Sequence, residues 1–148
     1  MTRKERKEYI LNLDNVVRRW RDNSKLFAGG CCFSAGQIAT LLEKKGIGYK
    51  VICWQCGDFN VKNLKDIILN NDCCHVAIQV RIDNQKFIIG GNYYSGCSMN
   101  RRTYTDIKSK EIIDYDLLGH YKDCWNRTYN RNLNSRFTKV LTNAVRKK

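Results

Sequence analysis

Two stretches of this 148-residue chain carry side chains able to do chemistry together. Gly29-Gly30-Cys31-Cys32-Phe33-Ser34-Ala35 reads as a glycine turn that delivers cysteine to the first turn of a helix. A thiol there lies at the positive end of the helix dipole, beside unpaired backbone N–H groups, and both favour the thiolate. Cys74-His75-Val76-Ala77-Ile78-Gln79-Val80 starts a strand with a histidine. A cysteine at a helix start and a histidine on a strand are the smallest set for thiol attack at an acyl carbon, the imidazole taking the thiol proton. Cys31 falls on the stripe of Ala35, Ile38 and Leu42, which favours it over Cys32 as the nucleophile.

Other readings compete for the same residues. Cys53-Trp54-Gln55-Cys56 has the spacing of a zinc or redox pair, and Cys73-Cys74-His75 could add ligands. The second half lacks a knuckle spacing, and the pair ends a strand instead of opening a helix. No metal and no cofactor is therefore expected. Cys31 and His75 could also both be inert core groups, since a buried cysteine behaves as a small hydrophobe.

The elements that must position these groups follow from periodicity. Residues 2–22 read as an amphipathic helix with a Thr2/Glu5 capping box. Ile10, Leu13, Val17 and Trp20 form its inward stripe, and Arg6, Arg18, Arg19 and Arg21 are assigned to the opposite face. Cys31 to Lys45 is the second helix, stopped by Gly46. Tyr49 to Trp54 reads as a strand and Val61 to Leu69 as a short helix. Cys74 to Ile82 is a strand with Val76, Ile78, Val80 and Ile82 on one face. His75, Ala77, Gln79 and Arg81 lie on the other, less apolar face, where a cleft is expected. Asp83-Asn84-Gln85 turns the chain, and Lys86 to Ile89 returns antiparallel. Gly90 to Thr105 reads as loop with a short strand. Helix is expected from Asp114 onward, ending in the amphipathic segment Asn134 to Lys148 with Phe137, Val140, Leu141, Ala144 and Val145 inward.

The length fits one domain over residues 1–148, divided into an N-terminal helix and loop (1–28), a Cys/His core (29–105) and a basic helical segment (106–148). A charged N-terminus and the lack of a long apolar run lead us to expect neither a leader nor a membrane span, and a cytoplasmic location. The eight cysteines are then expected to be mostly free thiols. A net charge of +13 favours an anionic partner, nucleic acid or an acidic protein, and the basic C-terminal segment is its expected contact.

Gly30-Cys31-Cys32-Phe33-Ser34-Ala35, followed by Ile38-Ala39 and Leu42, resembles the nucleophile helix of papain-like cysteine peptidases. His75-Val76-Ala77-Ile78-Gln79-Val80 with the return Lys86-Phe87-Ile88-Ile89 is similar to the histidine hairpin of their small bacterial and phage members, the NlpC-like and transglutaminase-like branches. The resemblance spans roughly residues 29 to 92. It implies an α+β, papain-like fold, with the Cys-bearing helix packed on a small antiparallel sheet and basic amphipathic terminal helices. It implies hydrolysis or transfer at a peptide, isopeptide or cell-wall amide by Cys31 or Cys32 with His75. Cys32 gains support here, because the aromatic Phe33 follows it as tryptophan follows the papain nucleophile. The family orients the histidine with a polar residue on or just after the returning strand. Phe87 to Gly91 is non-polar, so Asn92 is the nearest candidate. Asn23 is the side-chain amide available for an oxyanion hole. The alternative is a catalytically inactive, papain-like structural or interaction protein that binds nucleic acid or an acidic partner. The abundance of Lys, Asn and Ile without proline suits a phage or low-GC bacterial source.

Overall fold

A computed structural model describes residues 1–23, 31–55, 63–64, 73–91, 100–113 and 139–146. The first helix, α1 (Arg3–Asn23), starts where its capping box requires. The Thr2 N–H donates to Glu5 Oε2 at 2.7 Å, and the Glu5 N–H donates to Thr2 Oγ1 at 3.1 Å, so two orphan donors are satisfied reciprocally. The second helix, α2 (Cys31–Lys44), ends in a Schellman turn. Gly46 takes φ +67°, its N–H donates to the Glu43 carbonyl, and the Ile47 N–H donates to the Leu42 carbonyl. Leu42 and Ile47 are both buried, which is the apolar contact that usually accompanies this motif.

Four strands follow: β1 (Lys50–Gln55), β2 (Cys73–Ile82), β3 (Gln85–Ile89) and β4 (Asn100–Tyr104). They form one antiparallel sheet in the order β3-β2-β1-β4. The β2–β3 turn is two residues, Asp83 and Asn84, with φ of 51° and 66°. Two successive left-handed residues match the right-handed twist of the flanking strands, so Gln85 already belongs to β3 and not to the turn. Residues 109–113 and 139–146 are also helical.

The architecture is α+β, helices on one face of a small antiparallel sheet. Ile10 and Leu13 of α1, Leu42 of α2 and Ile78 of β2 are fully buried in one cluster, joined by Ile112 and Leu141. Each such side chain contributes roughly 1.5–3 kcal/mol relative to exposure. Val76, Ile78 and Val80 face these helices as their alternation predicts. The second sheet face carries a smaller cluster of Ile52, Trp54 and Ala77, with Ile88 packed against it.

Two expectations about side-chain direction are corrected. Arg6 is half-buried, one turn before Ile10 on the same face of α1, not opposite it. Its long stem lies along the sheet, and Nη2 donates to the Arg81 carbonyl at 3.3 Å. Val140 is 43% exposed, while Leu141 is buried and Ala144 and Val145 are packed on the core. The stripe of this helix centres on Leu141, and a residue one position earlier is rotated about 100° away. Of the expected helix at 61–69 only residues 63–64 are described, and Leu64 is buried in the main cluster; the stretch 114–138 lies outside the described residues, as do Trp20 and Phe137 as side chains.

Glu43 joins three parts of the fold. Its carboxylate accepts the Ser109 N–H at 3.0 Å, the Ser109 hydroxyl at 2.8 Å and the Tyr49 hydroxyl. Burial opposes its ionisation, but these hydrogen bonds and the charge of Lys108 outweigh it and hold the carboxyl below its ordinary value. A carboxyl depressed in the folded state stabilises above its unfolded pKa, near 4.3, and loses that contribution as pH falls through the folded value. Glu43→Gln is therefore expected to cost under about 1 kcal/mol at pH 7, because the group is solvent-exposed. Urea titrations of both proteins should show this gap closing below about pH 4.

Candidate active site

His75 is held by the sheet and not by a loop. β2 alternates apolar and polar residues, so a side chain two positions before Ala77 must share its face. His75 pairs in register with Trp54 of β1, while Gln55 pairs with Cys73, so one residue of β2 is extra at this point. Such a bulge twists the strand and re-aims the side chain beside it. The His75 and Trp54 rings lie 5.3 Å apart between centroids and are tilted by 42°. Both are nearly buried, His75 at 6% and Trp54 at 5% exposure.

Trp54 in turn pairs with Arg101 of β4, so His75, Trp54 and Arg101 form one row across three strands. The Arg101 guanidinium lies 5.6 Å over the Trp54 ring. Its Nη2 donates to Gln79 Oε1 at 3.3 Å, and Gln79 is itself buried. The face read as the polar side of a hairpin is thus a packed layer. An imidazole, an indole and a guanidinium are fixed there side by side. Neither Gln79 nor Arg101 stands out in the sequence as part of this layer. Gln79 had the right face as its only signal, and the partner of Arg101 lies 22 positions away in sequence.

Topology bears on where the cysteines stand relative to this row. α2 ends at the Gly46 turn, the chain enters β1 after Ile47, Gly48 and Tyr49, and α2 packs on β2, the neighbour of β1. The two lengths agree: fourteen helical residues rise about 21 Å and six strand residues about 20 Å. His75 pairs with Trp54, near the end of β1. A helix running antiparallel to β1 over this length would bring its first turn, with Cys31 and Cys32, to the end of the sheet that carries His75. Helix and histidine approach from different layers. α2 covers the face of Val76 and Ile78, whereas His75 projects from the face of Trp54 and Ala77. A thiol can meet the imidazole only around the strand end, where the bulge lies.

The other predicted groups are less informative. The side chains of Cys31 and Cys32 lie outside the described residues, as does Asn92. Asn23 is the last residue of α1, and its side chain is likewise outside them. Cys53 is fully buried on the α2 side of the sheet, paired with Val76 and so pointing away from His75. One ion cannot take both, which removes the ligand set that joined them; Cys56 lies outside the described residues. Ser34, in the first turn of α2, has a fully buried Oγ with no hydrogen-bond partner among the described residues. A buried hydroxyl left unpaired costs about 1–3 kcal/mol, so such groups call for a reason.

Among the described residues, no helix is long and apolar enough to cross a membrane. In comparisons with known proteins, no family model, no curated protein and no solved structure matches this chain.

Proposed function

We propose that this chain is a small papain-like, thiol-dependent amide hydrolase or acyl transferase acting on a peptide, isopeptide or cell-wall amide. Cys31 or Cys32 is the nucleophile and His75 the base. What supports this reading is chain order: β1 follows α2 after a short turn, and His75 pairs with the far end of β1, where an α2 antiparallel to that strand would begin. The helix dipole and first-turn N–H groups would stabilise both a thiolate and the oxyanion formed on attack. The bulge beside His75 and the Trp54 ring restrict the imidazole, which is what a general base needs before it can act. Asn92 remains the proposed orienting group and Asn23 the proposed oxyanion donor.

One observation favours a second reading. His75 faces away from the layer that holds α2, as it would in a non-catalytic member of the same layout that serves as an interaction protein on an anionic partner.

Alkylation separates the two. A thiol drawn about three pKa units below the ordinary 8.5 is half ionised at pH 5.5, against about one part in a thousand for an ordinary thiol. Its thiolate is intrinsically weaker by about 20-fold, so the net advantage is about 20-fold. Iodoacetamide labelling at pH 5.5, read by peptide mass spectrometry, should find one of Cys31 and Cys32 faster by about this factor than the other six cysteines. Uniform slow labelling would sink the enzyme reading.

A further inference from the structure

A cleft at the far end of β2 from His75 collects more positive than negative charge among the described residues. Its walls are the first turns of α1 and the β2–β3 turn, and its volume is about 180 Å³. Arg3, Arg6, Lys7 and Arg81 line it against one carboxylate, Asp83. Asp83 is already engaged, by Lys7 Nζ at 2.9 Å and Arg3 Nε at 3.7 Å, and these charges hold its carboxyl below its ordinary value.

The two remaining guanidiniums meet only backbone carbonyls among the described residues. Arg6 donates through Nη2 to the Arg81 carbonyl at 3.3 Å, and Arg81 donates through Nη1 to the Asn84 carbonyl at 3.1 Å. Arg6 Nε is buried and has no acceptor among the described residues. Two like charges at one concave site repel, and a buried N–H without an acceptor adds to the cost. Both terms are relieved by the same thing, an anion with several acceptor oxygens. Planar guanidinium forks match a tetrahedral oxyanion in this way. The net charge of +13 adds a long-range field that draws such a ligand in.

We propose that this cleft is a binding site for a phosphate group, held by Arg6 and Arg81 with Lys7 and Arg3 at the rim. The phosphate belongs either to a small free ion or to the phosphodiester backbone of a nucleic acid. The site is independent of the proposed thiol chemistry. From His75 to Ile82 the strand runs about 23 Å, so the cleft and His75 occupy opposite ends of it.

Calorimetry at low ionic strength, with inorganic phosphate in one arm and a single-stranded oligonucleotide in the other, tests it. Arg6→Gln combined with Arg81→Gln should weaken phosphate binding by about 10-fold or more, the loss of at least one charge-assisted contact. Asp83→Asn should tighten it by about 3-fold, because the competing carboxylate is gone. Asparagine tolerates the left-handed φ of 51° at this position, so the turn is retained. A gain of affinity cannot come from misfolding, which keeps the test decisive if the double variant is unstable. A 10-fold loss for the oligonucleotide as well identifies the backbone as the source. A loss for phosphate alone identifies the free ion. The proposal fails if wild type does not bind phosphate at millimolar concentration, or if Asp83→Asn and the double variant both bind as wild type does.

Discussion

Gly90→Ala is expected to cost about 3 kcal/mol of folding stability, from three sources acting at one point. Gly90 has φ +86°, in the left-handed region where an L side chain costs roughly 1–2 kcal/mol. A Cβ there would lie 2.8 Å from Val17 Cγ1, and Val17 is buried in the core cluster. Overpacking of this kind costs roughly 1–3 kcal/mol. The Gly90 N–H also donates to Asp14 Oδ1 at 2.7 Å, a hydrogen bond to a buried carboxylate that any backbone shift would stretch. Arg18 Nε holds the other oxygen of Asp14 at 2.9 Å, so one carboxylate clasps α1 to the end of the β2–β3 hairpin. The terms overlap, because relieving the clash strains the hydrogen bond, so they do not sum. In a thermal melt the variant should lose about 6–12 °C. Gly46→Ala is the control. Gly46 has φ +67° but nothing within 4 Å of the added methyl, so only the conformational term of roughly 1–2 kcal/mol applies. Equal losses for the two variants would show that the contact with Val17 and the Asp14 clasp carry no weight.

That clasp also shows where sequence reading stops. Local signals were legible because their physics is local. Thr2 and Glu5, three apart, predicted the start of α1, and Gly46 predicted the end of α2. The alternation in β2 predicted which residues meet the helices. Asp14 sits between Leu13 and Val17 on the buried side of α1, yet hydropathy marks it as a surface residue. What makes its burial tolerable is a backbone N–H 76 positions away, and no periodicity points to that. Arg6 was misplaced for a related reason. A cation at the edge of an apolar stripe looks solvated until the opposing Arg81 carbonyl is known. The pairing of β1 with β4 was hidden as well, because Arg101 and Trp54 meet through a long crossover. For the candidate site, residue types and the strand carrying His75 were legible. The layer into which the ring projects was legible as a face, but not as a packed one.

His75→Gln puts the proposed chemistry to its sharpest test, because a structural and a catalytic histidine predict different pH profiles. Suppose His75 supplies the base that draws the α2 thiol down by about three pKa units. Its loss returns that thiol to an ordinary pKa near 8.5. At pH 5.5 alkylation of the reactive cysteine should then fall by about 20-fold, since the thiolate fraction drops about 500-fold while each thiolate becomes about 20-fold more nucleophilic. The wild-type rate is nearly flat above pH 6, and the variant rate keeps rising with the thiolate fraction. The two curves cross near pH 7, and above it the variant reacts faster. A histidine that only packs against Trp54 predicts no crossing. Its replacement would lower the melting temperature through the lost ring contact and would move the labelling rate equally at every pH. Glutamine keeps a polar, similarly sized side chain on the face shared with Gln79, so the fold should survive the substitution. Rate profiles from pH 5 to 9 for wild type and variant, with melting temperatures measured alongside, distinguish the outcomes. Parallel profiles would assign His75 to the packed second face of the sheet and leave the α2 thiols without a base.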